Sequence, residues 1–182
     1  MKKTAMLFAN GFEEVEALTV VDLLRRAEIV CDIVALDGTA EITGSHGITV
    51  RADKGFDAVN VGDYDALLLP GGQPGTTNLG NDERVLALLR AFHAVGKLTA
   101  AICAAPTVLA KAGLLDGKRA TCYPGLEDKL TGATPGTEPM IVDGTVITSR
   151  GVGTAIPFAL ALVAYLDSQE RADALAKAIV YR

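Results

Sequence analysis

A single cysteine lies where an apolar segment meets a helix start. Cys103 follows the apolar run Leu98–Ile102, and Pro106 comes three residues later, as the first turn of a helix tolerates. A nucleophile elbow has this layout, and its tight turn needs small residues two positions either side of the nucleophile, here Ala101 and Ala105. Free backbone N–H groups and the helix dipole favour a thiolate there, so we predict a reactive Cys103 with a lowered pKa. The alternative is a structural cysteine buried at a strand end.

A carboxylate lies on the apolar face of the first predicted helix. At 100° per residue, Glu16 falls between Leu23 and Ala27, whereas Glu13 is at the helix start, where a carboxylate can cap N–H groups. A carboxyl group in apolar surroundings holds its proton more strongly and can donate a hydrogen bond to a thiolate. We therefore expect Glu16 to stabilise Cys103 and to carry protons. The alternative is a solvated or capping glutamate.

A glycine-rich turn follows another apolar run. Pro70-Gly71-Gly72 comes directly after Ala66–Leu69, and exposed glycine backbone at such a position can donate N–H groups to a developing oxyanion. The amides of Gly72 and Ala104 are the predicted oxyanion hole, with a plain tight turn as the alternative. The segment lacks the lysine and the serine or threonine that end a phosphate-binding loop, and no G-x-G-x-x-G opens the first helix.

Apolar runs alternate with helical periodicity along the chain. The pattern predicts a strand at Thr4–Phe8, a helix at Glu13–Ala27 and a strand at Ile29–Leu36. Further helices are predicted from Asp82 to about Val95, and over 107–112, 156–166 and 171–179, with a hairpin of 140–142 and 146–149 around Asp143-Gly144. Uniformly apolar strands are typical of a parallel sheet covered on both faces. The prediction is an α/β fold, a three-layer α/β/α sandwich that forms a single domain over residues 1–182.

Composition excludes several classes of protein. The 182 residues carry 17 basic and 22 acidic side chains, a net charge of −5, with no Trp and 5% aromatic residues. A specific nucleic-acid ligand is therefore not expected, because neither a basic surface nor aromatic stacking groups are available. The longest uncharged stretch, Gly151–Leu166, contains glycines and a proline and is too short to span a bilayer, so no membrane partner is expected.

The other two cysteines point to a reduced, cytoplasmic protein. Cys31 and Cys122 form no C-x-x-C pair with each other or with Cys103, and only two histidines accompany them, so no metal site is expected. We predict both as core residues, with Cys122 as a resolving thiol the alternative. Glu13, Glu14 and Glu16 stand where the apolar region of a secretory signal would continue, and no signal peptide is expected.

Four segments together resemble the ThiJ/PfpI superfamily, above all its parkinsonism-associated deglycase branch and the bacterial, YajL-like relatives. They are Glu13–Glu16, Leu69–Gly72, Ala100–Pro106 and Thr148–Thr154, in order and with matching spacing. The resemblance implies a flavodoxin-like fold of the class I glutamine amidotransferase type and a homodimer. It also implies an oxidation-sensitive nucleophile at Cys103 and a protonated glutamate at Glu16.

The activity that this resemblance implies is a glyoxalase III-type or deglycase reaction. Cys103 would add to the aldehyde of a 2-oxoaldehyde such as methylglyoxal, Glu16 would move a proton between the two carbons, and hydrolysis would release lactate. Early glycation adducts on proteins would be reversed by the same thiolate, with protection against oxidative stress as the outcome. No cofactor, metal or glutathione is expected.

Two positions depart from the family pattern. Ala104 stands where the protease-like branch has histidine, and Tyr123 stands where the human-type deglycase has one. His46 matches a position near the family's dimer interface and His93 is expected on a helix surface, so neither is assigned a catalytic role. A peptidase or amidase, which must protonate a poor leaving group, is thereby disfavoured. The second hypothesis is a redox sensor or chaperone switched by oxidation of Cys103.

Overall fold

The computed structural model describes residues 1–181 of the chain. Its strands are, in chain order, β1 (Lys3–Phe8), β2 (Val30–Ala35), β3 (Glu41–Thr43), β4 (Thr49–Arg51), β5 (Lys54–Gly55), β6 (Ala66–Leu69), β7 (Leu98–Ile102), β8 (Arg119–Ala120), β9 (Thr134–Pro135), β10 (Met140–Asp143) and β11 (Val146–Ser149). Its α-helices are α1 (Glu14–Arg26), α2 (Gly75–Asn81), α3 (Glu83–Ala94), α4 (Pro106–Lys111), α5 (Ala155–Leu166) and α6 (Gln169–Ala178).

Seven strands form the central sheet, in the order β10-β11-β7-β6-β1-β2-β5. All neighbouring pairs are parallel except β10 and β11, which form an antiparallel hairpin at one edge. Strands β6, β7 and β11 are buried along their whole length, because helices cover both faces of the sheet. The predicted mostly parallel sheet and the predicted hairpin are both confirmed.

The two faces of the sheet belong to separate apolar clusters. Side chains of α1, α5 and α6 pack with Met6 and Phe8 on one face. Side chains of α2, α3 and α4 pack with Ala5 and Leu7 on the other. Successive residues of one strand point to opposite faces, which is why β1 contributes to both clusters. The fold is the predicted three-layer α/β/α sandwich.

The helix ends follow local capping signals. The Asp82 side chain accepts a hydrogen bond from the N–H of Arg84 at 2.9 Å, as expected for the residue that begins α3. Helix α6 begins at Gln169, two residues before the predicted start, because the Ser168 side chain caps it by accepting from the N–H of Arg171. None of the helices among residues 1–181 is long and apolar enough to cross a membrane.

Besides the two-residue strands β5 and β9, a hairpin and a helix near the site were not predicted. The short hairpin of β3 and β4 carries exposed side chains, and only Ile42 in it is buried, so its apolar alternation is too weak to stand out in the sequence. Helix α2 is seven residues long and begins at Gly75, three residues after the predicted turn Pro70-Gly71-Gly72. Both elements lie near the edge of the sheet where β1, β6 and β7 end and are followed by Gly11, Gly71 and Cys103.

Candidate active site

Cys103 occupies a strained turn directly after β7. Its backbone φ of 65° lies in the left-handed region, which residues other than glycine seldom adopt. The Cys103 N–H donates to the carbonyl oxygen of Ser149 at 2.9 Å, and its own carbonyl oxygen accepts from the N–H of Tyr123 at 2.7 Å. These two bonds and the start of α4 hold the residue in this conformation. The side chain is half-buried, so the thiol remains accessible.

Glu16 enters the same turn from the first helix. Its side chain has no exposed surface, and its Oε2 accepts a hydrogen bond from the N–H of Gly71 at 3.0 Å. A side chain at position 71 would have no room, because its Cβ would lie 2.5 Å from Glu16 Oε2 and 3.0 Å from the Cys103 sulfur. Glycine at this position therefore lets the carboxyl group and the thiol approach each other.

Burial decides the protonation of this pair. It raises the pKa of Glu16 from 4.5 to about 7, opposed by hydrogen bonds to the Cys103 thiol and from the Gly71 amide. Burial, together with repulsion from the Glu16 carboxylate and a hydrogen bond to it, raises the pKa of Cys103 to about 12. The two groups therefore hold one negative charge between them over a wide range of pH, and a second charge is strongly disfavoured.

The predicted lowering of the Cys103 pKa is wrong for the form of the site in which Glu16 is ionised. The amides of Ala104 and Gly72 do lower this pKa, as the elbow layout predicts, but burial and the carboxylate outweigh them. The backbone donors of the elbow can be predicted from the sequence, whereas the desolvation of the sulfur depends on the folded structure. A thiolate at neutral pH requires that Glu16 holds the proton.

Two backbone amides point at the sulfur. The N–H groups of Ala104 and Gly72 hydrogen-bond to Cys103 Sγ. Gly72 has a φ of 91°, and a Cβ there would lie 2.2 Å from the backbone nitrogen of Glu13, so only glycine fits. The structure thus brings together all four residues of the predicted site. Donors that converge on the sulfur are also within reach of an oxygen on a carbon bonded to it.

The outer rim of the site consists of Tyr123 and Gly151. The Tyr123 side chain is 52% exposed. A Cβ on Gly151 would lie 3.6 Å from Tyr123 Cδ2 and 3.8 Å from Glu16 Oε1. Although the carboxyl group and the thiol interact, Oε1 is buried and has no partner with hydrogen-bond geometry within the described part of the chain.

The sequence and the fold were compared with those of known proteins. A model of the DJ-1/PfpI family matches residues 2–165. The chain belongs to the DJ-1/PfpI family. Protein dj-1beta of Drosophila melanogaster is 37% identical over 183 residues, which cover 99% of this chain and 98% of that protein. Deglycase PH1704 of Pyrococcus horikoshii is 38% identical over 154 residues, 81% of this chain and 89% of that protein.

Solved DJ-1 structures share the whole fold. The crystal structure of Drosophila melanogaster DJ-1beta has a TM-score of 0.92 at 37% identity and covers 98% of this chain and 97% of that one. The structure of oxidized Toxoplasma gondii DJ-1 has a TM-score of 0.94 at 35% identity, with 99% and 98% covered. The predicted ThiJ/PfpI resemblance and fold class are therefore confirmed.

The remaining cysteines of this DJ-1/PfpI chain lie in the core. Cys31 and Cys122 are buried, and burial raises the pKa of each thiol to about 11. The prediction that both pack in the core is confirmed. His93 lies in α3, on the face of the sheet opposite to α1, and His46 lies in the loop between β3 and β4.

Sequence reasoning missed the role of Glu14. This buried carboxylate accepts hydrogen bonds from the N–H of His46 at 2.7 Å and of Ile48 at 3.4 Å, and its Oε2 lies 2.9 Å from His46 Nδ1. Although burial opposes it, these bonds lower the pKa of Glu14 to about 2. Within residues 1–181, Glu13, Glu14 and His46 are the group whose ligand atoms lie close enough to hold a metal ion, but Glu14 is already satisfied by the loop.

Proposed function

We propose that this DJ-1/PfpI protein is a cysteine-dependent, glutathione-independent glyoxalase and deglycase. Its substrates would be 2-oxoaldehydes such as methylglyoxal and the early glycation adducts that they form on proteins. The observation that carries the proposal is the contact of the accessible Cys103 thiol with the fully buried Glu16, whose pKa is raised to about 7. A group that exchanges its proton near neutral pH is suited to acid–base catalysis.

The reaction begins with addition of the sulfur to the aldehyde. The Cys103 thiolate forms a bond to C1, and the electron pair of the carbonyl moves to its oxygen, which takes the proton from Glu16 to give a hemithioacetal. The amides of Gly72 and Ala104, which point at the sulfur, stabilise the charge that develops on this oxygen. A glycation adduct reaches the same intermediate when the sulfur replaces the protein side chain at C1, and the side chain leaves as a free amine or thiol after taking the proton from Glu16.

An internal proton transfer follows. The Glu16 carboxylate removes the proton from C1, the electron pair forms a double bond between C1 and C2, and the C2 oxygen takes the proton of the C1 hydroxyl group to give an enediolate. Glu16 then returns its proton to C2 as the carbonyl forms at C1, which leaves a thioester that water hydrolyses to lactate and the free thiol. C1 is oxidised and C2 is reduced by the same two electrons, so no external oxidant or cofactor takes part.

Lactate formation tests this proposal. The protein is incubated with methylglyoxal in the absence of glutathione, and lactate is measured over time. We expect turnover in the wild type, its loss in Cys103→Ala, and retention in Cys31→Ala, which removes a thiol from the core instead. Absence of lactate with the reduced wild-type protein would exclude the glyoxalase activity.

A second candidate function is redox sensing through the same thiol, with a chaperone-like change of binding. It is favoured by the burial of Cys31 and Cys122, which leaves Cys103 as the accessible thiol among the described residues. Peroxide would oxidise Cys103 to the sulfinate. Mass spectrometry after mild peroxide treatment should detect oxidation at Cys103 first. Earlier oxidation of a buried cysteine would contradict this function.

A further inference from the structure

Glu13 stands at the start of α1 but its side chain does not cap the helix. It accepts no hydrogen bond from the first N–H groups of α1. Instead, its Oε2 accepts from the Ser45 hydroxyl group at 3.3 Å and lies 3.5 Å from His46 Nδ1, and only 14% of the side chain is exposed. Helix capping therefore does not account for this carboxylate.

The backbone of Glu13 belongs to the turn that forms the active site. Its N–H donates to the carbonyl oxygen of Gly71 at 2.8 Å, while the N–H of Gly71 donates to Glu16 at 3.0 Å. Gly72 packs so closely that a Cβ on it would lie 2.2 Å from the Glu13 nitrogen. The N–H of Gly72 in turn points at the Cys103 sulfur. Glu13 therefore has a fixed place relative to both Glu16 and the thiol.

The negative charge of Glu13 acts on Glu16. Burial is the main reason why the pKa of Glu16 is raised, and repulsion by the Glu13 carboxylate adds to it. The raised pKa of Cys103 has burial and Glu16 as its main causes. Because Glu16 and Cys103 share one negative charge, a nearby charge that repels it from Glu16 moves it to the sulfur. Glu13 therefore favours the thiolate, which is the reactive form.

His46 links the effect of Glu13 to pH. The imidazole is exposed, and its hydrogen bond to Glu14, together with the charges of Glu13 and Glu14, raises the pKa of His46. Within the described part of the chain, Glu13 and the Cys103 thiol are the titratable groups that act on Glu16, so His46 influences Glu16 through Glu13. A protonated His46 offsets the charge of Glu13, whereas a neutral one does not.

We propose that Glu13 is a positioning residue that acts through Glu16, because its negative charge keeps the proton on Glu16 and the shared charge on the Cys103 sulfur. The inference rests on the proposed function for its consequence, since the thiolate is the group that attacks the aldehyde. The loop between β3 and β4 then takes part in the chemistry of a site that it does not touch, because it holds the Glu13 carboxylate through Ser45 and His46.

The pH profile of Cys103 alkylation tests this inference. The rate with iodoacetamide is measured from pH 5 to pH 10. Glu13→Gln keeps an acceptor for Ser45 but removes the charge, so Glu16 loses its proton more readily. We expect the plateau rate to fall about threefold and the midpoint to move down by about 0.5 pH unit, as for a partly exposed pair of charges. Ser45→Ala removes the hydrogen bond and keeps the charge, so its profile should match the wild type.

The His46→Gln variant tests the route of the effect. It should move the midpoint to higher pH, because the charge of Glu13 is then never offset, and it should change nothing when combined with Glu13→Gln. An equal change in both backgrounds would overturn the route through Glu13. A Glu13→Gln profile that equals the wild type would overturn the inference, and so would a lower plateau at an unchanged midpoint, which is the result of a merely structural role.

These measurements are independent of the proposed function, because alkylation requires no turnover. If the reduced wild-type protein forms no lactate from methylglyoxal but the profile shifts in Glu13→Gln, the proposed function fails and the role of Glu13 holds. If lactate forms and the profile of Glu13→Gln does not shift, the proposed function holds and the role of Glu13 fails.

Discussion

Three carboxylates lie within four residues at the start of α1, and each meets a different environment. Glu13 is half-buried at the helix start, Glu14 is buried and fixed by the β3–β4 loop, and Glu16 is buried against the thiol. The pKa of Glu14 is lowered to about 2, whereas that of Glu16 is raised to about 7. The hydrogen bond with the His46 side chain, together with backbone hydrogen bonds, explains the first shift, and burial explains the second.

The Glu16→Gln variant tests which group of the pair carries the charge. We expect the pH profile of Cys103 alkylation to move to higher pH, because an amide is a weaker hydrogen-bond donor to the thiolate than a protonated carboxyl group. The rate of reaction with iodoacetamide is measured from pH 5 to pH 10. A profile that moves to lower pH would show that the Glu16 carboxylate holds the charge, with the thiol protonated.

The raised pKa of Glu16 also predicts a pH-dependent stability. Between pH 4.5 and about 7 the folded state keeps a proton that the unfolded state has lost, so stability falls as pH rises through this window. The rise of this pKa from 4.5 to about 7 corresponds to about 3 kcal/mol. Urea unfolding at pH 5 and pH 8 should show this loss in the wild type relative to Glu16→Gln. An equal change in the free energy of unfolding between pH 5 and pH 8 in the two proteins would contradict this prediction.

Much of the site could be predicted from residue types and spacing. Small residues around Cys103 indicated the turn, and the helical periodicity placed Glu16 on an apolar face. The pKa of Cys103 could not be predicted in the same way, because it depends on the burial of the sulfur and on its contact with Glu16. The role of Glu14 was missed because its partners lie in a hairpin with little apolar signal.

At the scale of elements, the β3–β4 hairpin is attached to the start of α1. The loop between its strands donates the N–H groups of His46 and Ile48 to Glu14, and the N–H of Ser45 donates to the carbonyl oxygen of Phe12 at 2.8 Å. Helix α1 also carries Glu16. The hairpin therefore supports the helix end that positions the candidate catalytic carboxyl group.

Removal of Glu14 should loosen this attachment. Glu14→Ala leaves two loop amides without their acceptor, and we expect a loss of about 2 kcal/mol in the free energy of unfolding near neutral pH. The low pKa of Glu14 means that its contribution is present above pH 4.5 and is lost as pH falls towards 2. Urea unfolding measures the loss, and hydrogen exchange should accelerate at His46 and Ile48. Glu13→Ala is the matched control, and an equal loss in both variants would contradict this role for Glu14.

At the scale of the whole molecule, the parallel sheet gathers residues that are far apart in sequence. Helix α1 starts beyond the end of β1, the Gly71-Gly72 turn follows β6, Cys103 follows β7, and Gly151 comes shortly after β11. These strands are neighbours in the sheet, and their carboxyl ends lie at one edge. The order of the strands, more than any single loop, therefore builds the site.

The homodimer implied by the family resemblance stays a prediction. Val15 on α1 and Ile48 in the β3–β4 loop are 48% and 53% exposed, and the resemblance places His46, which lies in the same loop, near the interface. Light scattering after size-exclusion chromatography should give twice the chain mass of 18.9 kDa. Val15→Glu should shift the population to monomers, whereas Val142→Glu, equally exposed on β10, should not. A monomeric wild type at micromolar concentration would contradict the dimer.

At Cys103, the left-handed backbone conformation makes the thermal stability of the fold compete with the presence of the reactive thiol. A non-glycine residue with a φ of 65° costs the fold on the order of 1 kcal/mol, and glycine would remove this cost along with the sulfur. A library randomised at this position and selected only for survival at high temperature should therefore enrich glycine. Selection of the same library on toxic aldehydes should recover cysteine, so engineering for heat tolerance alone would discard the reactive group.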